Sequence, residues 1–221
     1  MKRIVPLLLC AGMFGASVAS AAVVSGTVTF MTKRGQRPNF NETLLWLEPV
    51  DAKTPRKPAS AFTITTRGKA FVPHVMAVPA GSTIAFPNED PISHNLFSLT
   101  PGNTFDLGLY RKGAGKTHKF DAPGAVNVYC NVHPNMSAVV HVMPTPYYGF
   151  ADANGNYSFD VPPGKYRLVA WNEQGGSVSS DIAVAANGVT GNRTLLIDSR
   201  NHRGSQHTNK FGQTYQAPKE Y

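Results

Sequence analysis

An all-β fold is what this 221-residue chain predicts. Three observations carry that expectation. Helical periodicity is nearly absent, short apolar or alternating runs recur along the chain, and Gly, Pro, Asn and Asp break those runs at spacings that suit a β-sandwich.

The first element stands apart from that fold. Lys2 and Arg3 precede an apolar run from Ile4 to about Val18, and Ala19-Ser20-Ala21 supplies the small residues a signal peptidase needs. Residues 1–21 therefore read as a cleaved signal peptide with Ala22 as the mature start. The run is too short, and too rich in Gly, Ala and Ser, for a transmembrane anchor. A periplasmic location is expected, with secretion as the alternative. Loss of Lys2 and Arg3 takes the formal charge from +8 to +6. Such a surface suits an acidic partner protein or an anionic membrane, whereas scattered cations and export argue against nucleic acid.

Residues 22–59 follow, with candidate strands at Val24–Phe30 and Thr43–Glu48; the Pro- and Lys-rich Asp51–Ser60 reads as an exposed connection. The middle stretch, 60–143, offers strands at Ala61–Thr65, His74–Val78, Thr83–Pro87, Asn95–Leu99, Lys116–Phe120, Ala125–Cys130 and Ala138–Met143. The stretch 144–198 offers Tyr157–Val161, Tyr166–Trp171, Ser177–Val184 and Arg193–Ile197. Asn154-Gly155 and Pro163-Gly164 suit hairpin turns within it. Residues 199–221 are polar and aperiodic, and read as a mobile tail.

Export makes the cysteines informative. Cys10 leaves with the signal, so Cys130 is the one thiol of the mature chain. In an oxidising compartment a lone thiol implies an intermolecular disulfide, burial or metal ligation. Its neighbours favour the third. In Cys130-Asn131-Val132-His133-Pro134-Asn135-Met136, a thiolate, an imidazole and a thioether recur at three-residue steps after an apolar strand. Two imidazoles, a thiolate and a long, weak thioether define a blue-copper site, because soft sulfur favours Cu(I) while imidazole accepts either oxidation state. The segment lacks the second imidazole. His94, which opens a strand after the turn-rich Pro87–Ser93, offers it. Taken singly, Cys130 reads as a small buried apolar residue, His133 as a loop residue and Met136 as core. Their joint spacing reverses that judgement.

At these residues the chain resembles the plastocyanin–amicyanin branch of the cupredoxins. The phrases F-x-P at Phe71–Pro73, V-x-x-G-S-T-I-x-F-P-N at Val78–Asn88, H-N at His94–Asn95 and C-x-x-H-P-x-M at Cys130–Met136 fall in family order. The short last loop is closer to amicyanin than to plastocyanin. The resemblance implies a Greek-key cupredoxin sandwich over 60–143 holding one type 1 copper ion. It makes His94, Cys130 and His133 ligands, Met136 the axial ligand and the His133 edge the electron port. It further implies that the Asn95 N–H donates to the Cys130 sulfur, that Asn88 supports the same loop, and that Phe86, Phe97 and Pro134 keep water away.

A second resemblance covers about 50 residues. Asp152–Tyr157 (D-x-x-G-x-Y) and Pro162–Tyr166 (P-x-G-x-Y) are similar to turn phrases of the carboxypeptidase regulatory-like β-sandwiches. That family's opening, a G-x-V strand, a Pro turn and a V/L-x-L strand, is found at Gly26–Val28, Pro38 and Leu44–Pro49 instead. The expectation is a second, smaller β-sandwich built from both chain ends with the cupredoxin inserted. The alternative is two tandem domains, the N-terminal strands joining the first.

No enzyme is expected. A Cys/His nucleophile pair needs a histidine across a cleft and an oxyanion site, and a copper oxidase or nitrite reductase needs further His clusters, which the chain lacks. Zinc is disfavoured because Met is a poor zinc ligand. Electron transfer with unnamed donor and acceptor proteins is the expected role, and a periplasmic copper carrier or resistance protein is the rival. Six scattered Met residues favour a single tuned site over a Met-rich carrier. His74, His118 and His141 read as satisfied or solvated imidazoles. Asp152–Asn156 lacks the spacing of a calcium loop.

Overall fold

The computed structural model describes residues 22–185, 189–202 and 207–215; the expected signal peptide lies outside them. The first two strands are β1 (Ala22–Met31) and β2 (Leu44–Pro49). Then come β3 (Ala61–Thr63), β4 (Thr65–Arg67), β5 (Ala70–Val72), β6 (Val75–Pro79), β7 (Ser82–Asn88), β8 (His94–Ser98), β9 (Phe105–Tyr110), β10 (Gly113–Phe120), β11 (Gly124–Cys130) and β12 (Ser137–Met143). The last five are β13 (Tyr148–Phe150), β14 (Asn156–Val161), β15 (Gly164–Asn172), β16 (Gly176–Val184) and β17 (Val189–Asp198). Among the described residues, no helix is long and apolar enough to cross a membrane.

The strands form four sheets around two cores. One sheet runs β10-β7-β4-β5, with β3 also on β7, and faces a second in the order β6-β12-β11-β8-β9. Between them lies a core of residues 64–142 that includes Ile84, Phe86, Phe120, Val126, Val128, Cys130 and Met136. Burying each large apolar side chain contributes about 1.5–3 kcal/mol. The other two sheets run β14-β1-β17 and β13-β2-β15-β16. Their core joins Val24, Val28, Leu45 and Leu47 from the chain start to Tyr157, Leu168, Ile182 and Ile197 from its end. The molecule is thus all-β, and its second unit draws on both chain ends.

Period-2 alternation sets what each strand presents to the core. In β11, Val126, Val128 and Cys130 are fully buried, so the same alternation that packs the valines delivers the thiol inward at the strand's end. In β7, Ser82, Ile84, Phe86 and Asn88 point in. Tyr129 and Phe97 are register partners, as are Cys130 and Leu96. Leu96, rather than the expected Phe97, therefore shares the face of Cys130.

Strand β9 was not evident from sequence, because Asp106 and Gly108 interrupt its pattern. The β8–β9 register shifts between Asn95 and Phe97. Gly108 has φ +66° in the segment that accommodates the extra residue, a left-handed conformation that suits glycine.

The segment expected to be a mobile tail is packed in part. Residues 207–215 lie on the outer side of β8 and β11, where the His207 ring stacks on Tyr129 with centroids 4.1 Å apart. A polar, aperiodic segment is held here by individual hydrogen bonds, which leave no periodic trace in a sequence.

Candidate metal centre

Three side chains from two adjacent strands and the following loop meet at one end of the 61–143 unit. His94 opens β8, Cys130 ends β11 and His133 lies in the loop to β12. Their ligand atoms all lie within 4.8 Å of one another. His94 Nδ1 stands 3.6 Å from Cys130 Sγ, and His133 Nδ1 stands 3.8 Å from the same sulfur. The imidazole centroids are 4.8 Å apart. His94 and Cys130 are fully buried, and His133 is partly exposed. Cys130 is a free thiol.

The loop that carries His133 is closed by its own backbone. The Cys130 N–H donates to the Met136 carbonyl at 3.1 Å, and the Met136 N–H donates to the His133 carbonyl at 3.1 Å. Met136 is 1% exposed and packs in the same core as Cys130 and Phe86. Asn95 meets this segment through its carbonyl oxygen, which accepts from the Asn131 N–H at 2.8 Å. The Asn95 side-chain amide donates to Asp106 at 2.5 Å.

The loop before His94 is built as carefully. Asn88 Nδ2 donates to the Ile92 carbonyl at 2.8 Å, and the Asp90 N–H donates to Asn88 Oδ1 at 2.9 Å. These bonds turn the chain so that Asp90 faces His94, with Asp90 Oδ2 3.0 Å from His94 Nε2. The Asp90 carboxylate also accepts from the Gly68 N–H at 2.6 Å and the Lys69 N–H at 2.9 Å. Burial alone would raise the Asp90 pKa, but the Lys69 and Gly68 N–H groups, with His94, outweigh it and hold the carboxyl below its ordinary value. An ionised Asp90 keeps the His94 proton on Nε2, which leaves the Nδ1 lone pair aimed at the sulfur. A carboxylate behind a ligating histidine fixes its tautomer and orientation in the same way. Sequence reading missed Asp90, whose only signal was a carboxylate four residues before the candidate histidine in a turn-rich loop.

His133 differs. Burial, then the neighbouring His94 and Lys69, pushes its pKa below the ordinary 6.5. A neutral imidazole at neutral pH is the form that ligates a metal. Tyr110 is buried near this corner, and desolvation pushes its hydroxyl well above its ordinary value.

The donor chemistry fits copper. Among the described residues, the clustered side-chain donors are one thiol and two imidazole nitrogens, with an apolar core on one side; soft sulfur and imidazole suit copper. The remaining histidines stay outside this cluster. His74 bridges to Glu173, His118 stacks on Phe105 at 4.1 Å, and His141 lies against Trp171 at 4.2 Å.

No known family profile and no curated protein matches the chain. Among solved structures, a purple cupredoxin from Nitrosopumilus maritimus is similar at 22% identity and a TM-score of 0.31, covering 37% of this chain and 98% of that one. A Cu(I) amicyanin variant is similar at 16% identity and a TM-score of 0.36, covering 44% of this chain and 98% of that one. A copper-containing nitrite reductase from Thermus scotoductus SA-01 is similar at 23% identity and a TM-score of 0.33, covering 43% of this chain and 25% of that one. At such distances the case for a metal rests on this chain's own side chains.

Proposed function

We propose that this chain is an exported protein of the cupredoxin type, working in the periplasm as a one-electron carrier. One type 1 copper ion would be held by His94, Cys130 and His133, with Met136 as the axial ligand. The observation that carries the reading is the convergence of two imidazole Nδ1 atoms on one buried thiol, at 3.6 and 3.8 Å. A copper ion there would supply a Cu(I)/Cu(II) couple.

The chain's own residues do the rest. Asp90 orients His94, the Cys130–Met136 backbone bonds shape the ligand loop, and Phe86 and Leu96 keep water from the sulfur side. Asn95 ties β8 to the residue after the thiol. His133, the partly exposed imidazole, is the port by which a redox partner with an acidic surface would exchange electrons. The unit built from both chain ends, whose turns resemble the regulatory-like sandwiches, orients this port and carries out no chemistry.

Copper(II) titration followed by visible absorption, then protein-film voltammetry, tests the proposal. The expected result is an intense band that saturates at one copper per chain, is lost in Cys130→Ser, and accompanies a reversible one-electron wave. A pale adduct without a reversible wave would favour copper carriage over electron transfer.

A further inference from the structure

The outer faces of β8 and β11 pose a question that the metal centre does not answer. Phe97 points away from the Cys130 core by register, yet it is fully buried. What covers it is the segment 207–215. The His207 ring lies 6.3 Å from Phe97 edge-on and 4.1 Å from Tyr129 in a parallel stack, and the Tyr215 ring closes over His207 at 5.3 Å. A turn between them is fixed by Asn209, whose N–H donates to the Gln213 carbonyl at 2.8 Å and whose carbonyl accepts from Gly212 at 2.9 Å.

The polar contacts of this strap with the 61–143 unit reach Cys130, Asn131 and Asp106. The Tyr215 hydroxyl donates to the Cys130 carbonyl at 2.9 Å. The Lys210 N–H donates to Asn131 Oδ1 at 2.9 Å. Lys210 Nζ donates to Asp106 Oδ2 at 2.7 Å, while the other Asp106 oxygen accepts from Asn95 Nδ2. Asn95 in turn accepts from the Asn131 N–H. A closed circuit therefore joins the strap to the two residues that follow His94 and Cys130. Among the described residues, the strap's stacking and hydrogen bonds to the 61–143 unit fall on Phe97 of β8, Asp106 of β9, Tyr129 and Cys130 of β11, and Asn131 after it.

We propose that the strap 207–215 is a positioning element of the metal centre, in which Tyr215 and Lys210 clamp the Cys130-Asn131 corner against Asn95. The clamp holds the β11 end and the β8 start at one spacing, so that the thiol and the His94 imidazole meet in a fixed geometry whether or not a metal is present. A preset ligand geometry keeps rearrangement small when the charge on a bound ion changes. The inference rests on the copper reading for its purpose, and on the contacts above for its existence.

Because Cys130 is fully buried, a reagent reaches its sulfur only through local opening, and the alkylation rate follows the opening equilibrium. Tyr215→Phe removes the hydroxyl donor and keeps the ring. Lys210→Ala removes the ammonium, and Lys210→Arg restores a cation beside Asp106. In the metal-free full chain, each of the first two variants is expected to raise iodoacetamide alkylation of Cys130 about fivefold, the worth of one hydrogen bond, with rescue in Lys210→Arg. After copper loading, the same two variants are expected to broaden or shift the copper spectrum while thermal melting of the whole chain changes little. Alkylation rates unchanged in both variants would overturn the clamp. Alkylation that rises while the unaltered protein gives no intense copper band would support the clamp and contradict the copper reading, so the two fail separately.

Discussion

Two histidines of this molecule each carry a carboxylate on Nε2 and still differ at the other nitrogen. His94 Nε2 lies 3.0 Å from Asp90, and His74 Nε2 lies 2.6 Å from Glu173. The difference is at Nδ1. In His74 that nitrogen faces the Ser137 carbonyl at 2.9 Å, so both ring nitrogens meet acceptors, an arrangement that favours the doubly protonated form and raises the pKa. In His94 it faces the Cys130 sulfur at 3.6 Å, and with the proton on Nε2 its lone pair is open. The His74 side, with His141 between Trp46 and Trp171, is the junction between the two β-units. The comparison teaches that the second nitrogen's neighbour decides whether a carboxylate-backed imidazole is closed by two acceptors or left able to bind a metal.

The largest expected effect belongs to the junction. Burial pushes the His141 pKa down from 6.5 to about 4. The unfolded chain therefore binds a proton that the folded one refuses, so stability is complete above pH 6.5 and falls as pH drops toward 4. At 1.36 kcal/mol per pKa unit the loss is about 3 kcal/mol. Denaturant titrations at pH 7 and pH 4 are expected to show that extra loss in the unaltered protein and not in His141→Gln; parallel losses would contradict it.

At the metal corner, Asp90→Asn keeps the shape and removes the charge that fixes the His94 tautomer. The expected cost is about 10–100-fold in copper affinity, measured by competition with a chelator, since partners behind metal ligands are worth that much. An unchanged affinity would mean that His94 needs no orienting partner.

The smallest effect tests the closed imidazole. The Glu173 hydrogen bond is the main cause that raises the His74 pKa, so that contribution is complete below pH 6.5 and is lost as pH rises through the raised value. The same bond leads in lowering the Glu173 pKa, so its contribution is complete above pH 4.5 and is lost as pH falls through the lowered value. The pair therefore stabilises most between pH 4.5 and 6.5. Glu173→Gln is expected to cost about 1 kcal/mol in that window and progressively less in alkali. A cost independent of pH would mean that charge plays no part in the pair.

Much of the candidate metal centre was legible because its chemistry is local. Cys130 and His133 lie three residues apart, and alternation through Val126 and Val128 points the thiol inward, so that part of the His94–Cys130–His133 cluster is carried by local spacing. The all-β class was legible for the same reason, from runs of a few residues. Asp90 was not. Its role depends on the Gly68 and Lys69 N–H groups, 22 and 21 residues away, which only the folded β4–β5 turn brings to it. The strap was not legible either, because residues 207–215 bury Phe97 through isolated rings and hydrogen bonds, with no apolar period to read. Phe97 was expected to keep water from the metal, and the β8–β11 register, invisible in sequence, puts Leu96 rather than Phe97 on the Cys130 face.

The most direct measurement is electron paramagnetic resonance of the unaltered protein loaded with copper(II). The account predicts a small parallel hyperfine splitting, the mark of spin density shared with the Cys130 sulfur, in a protein of intense visible colour. An ordinary, large splitting in a pale protein would contradict it, because the two imidazoles and the thiol would then not be holding the ion together.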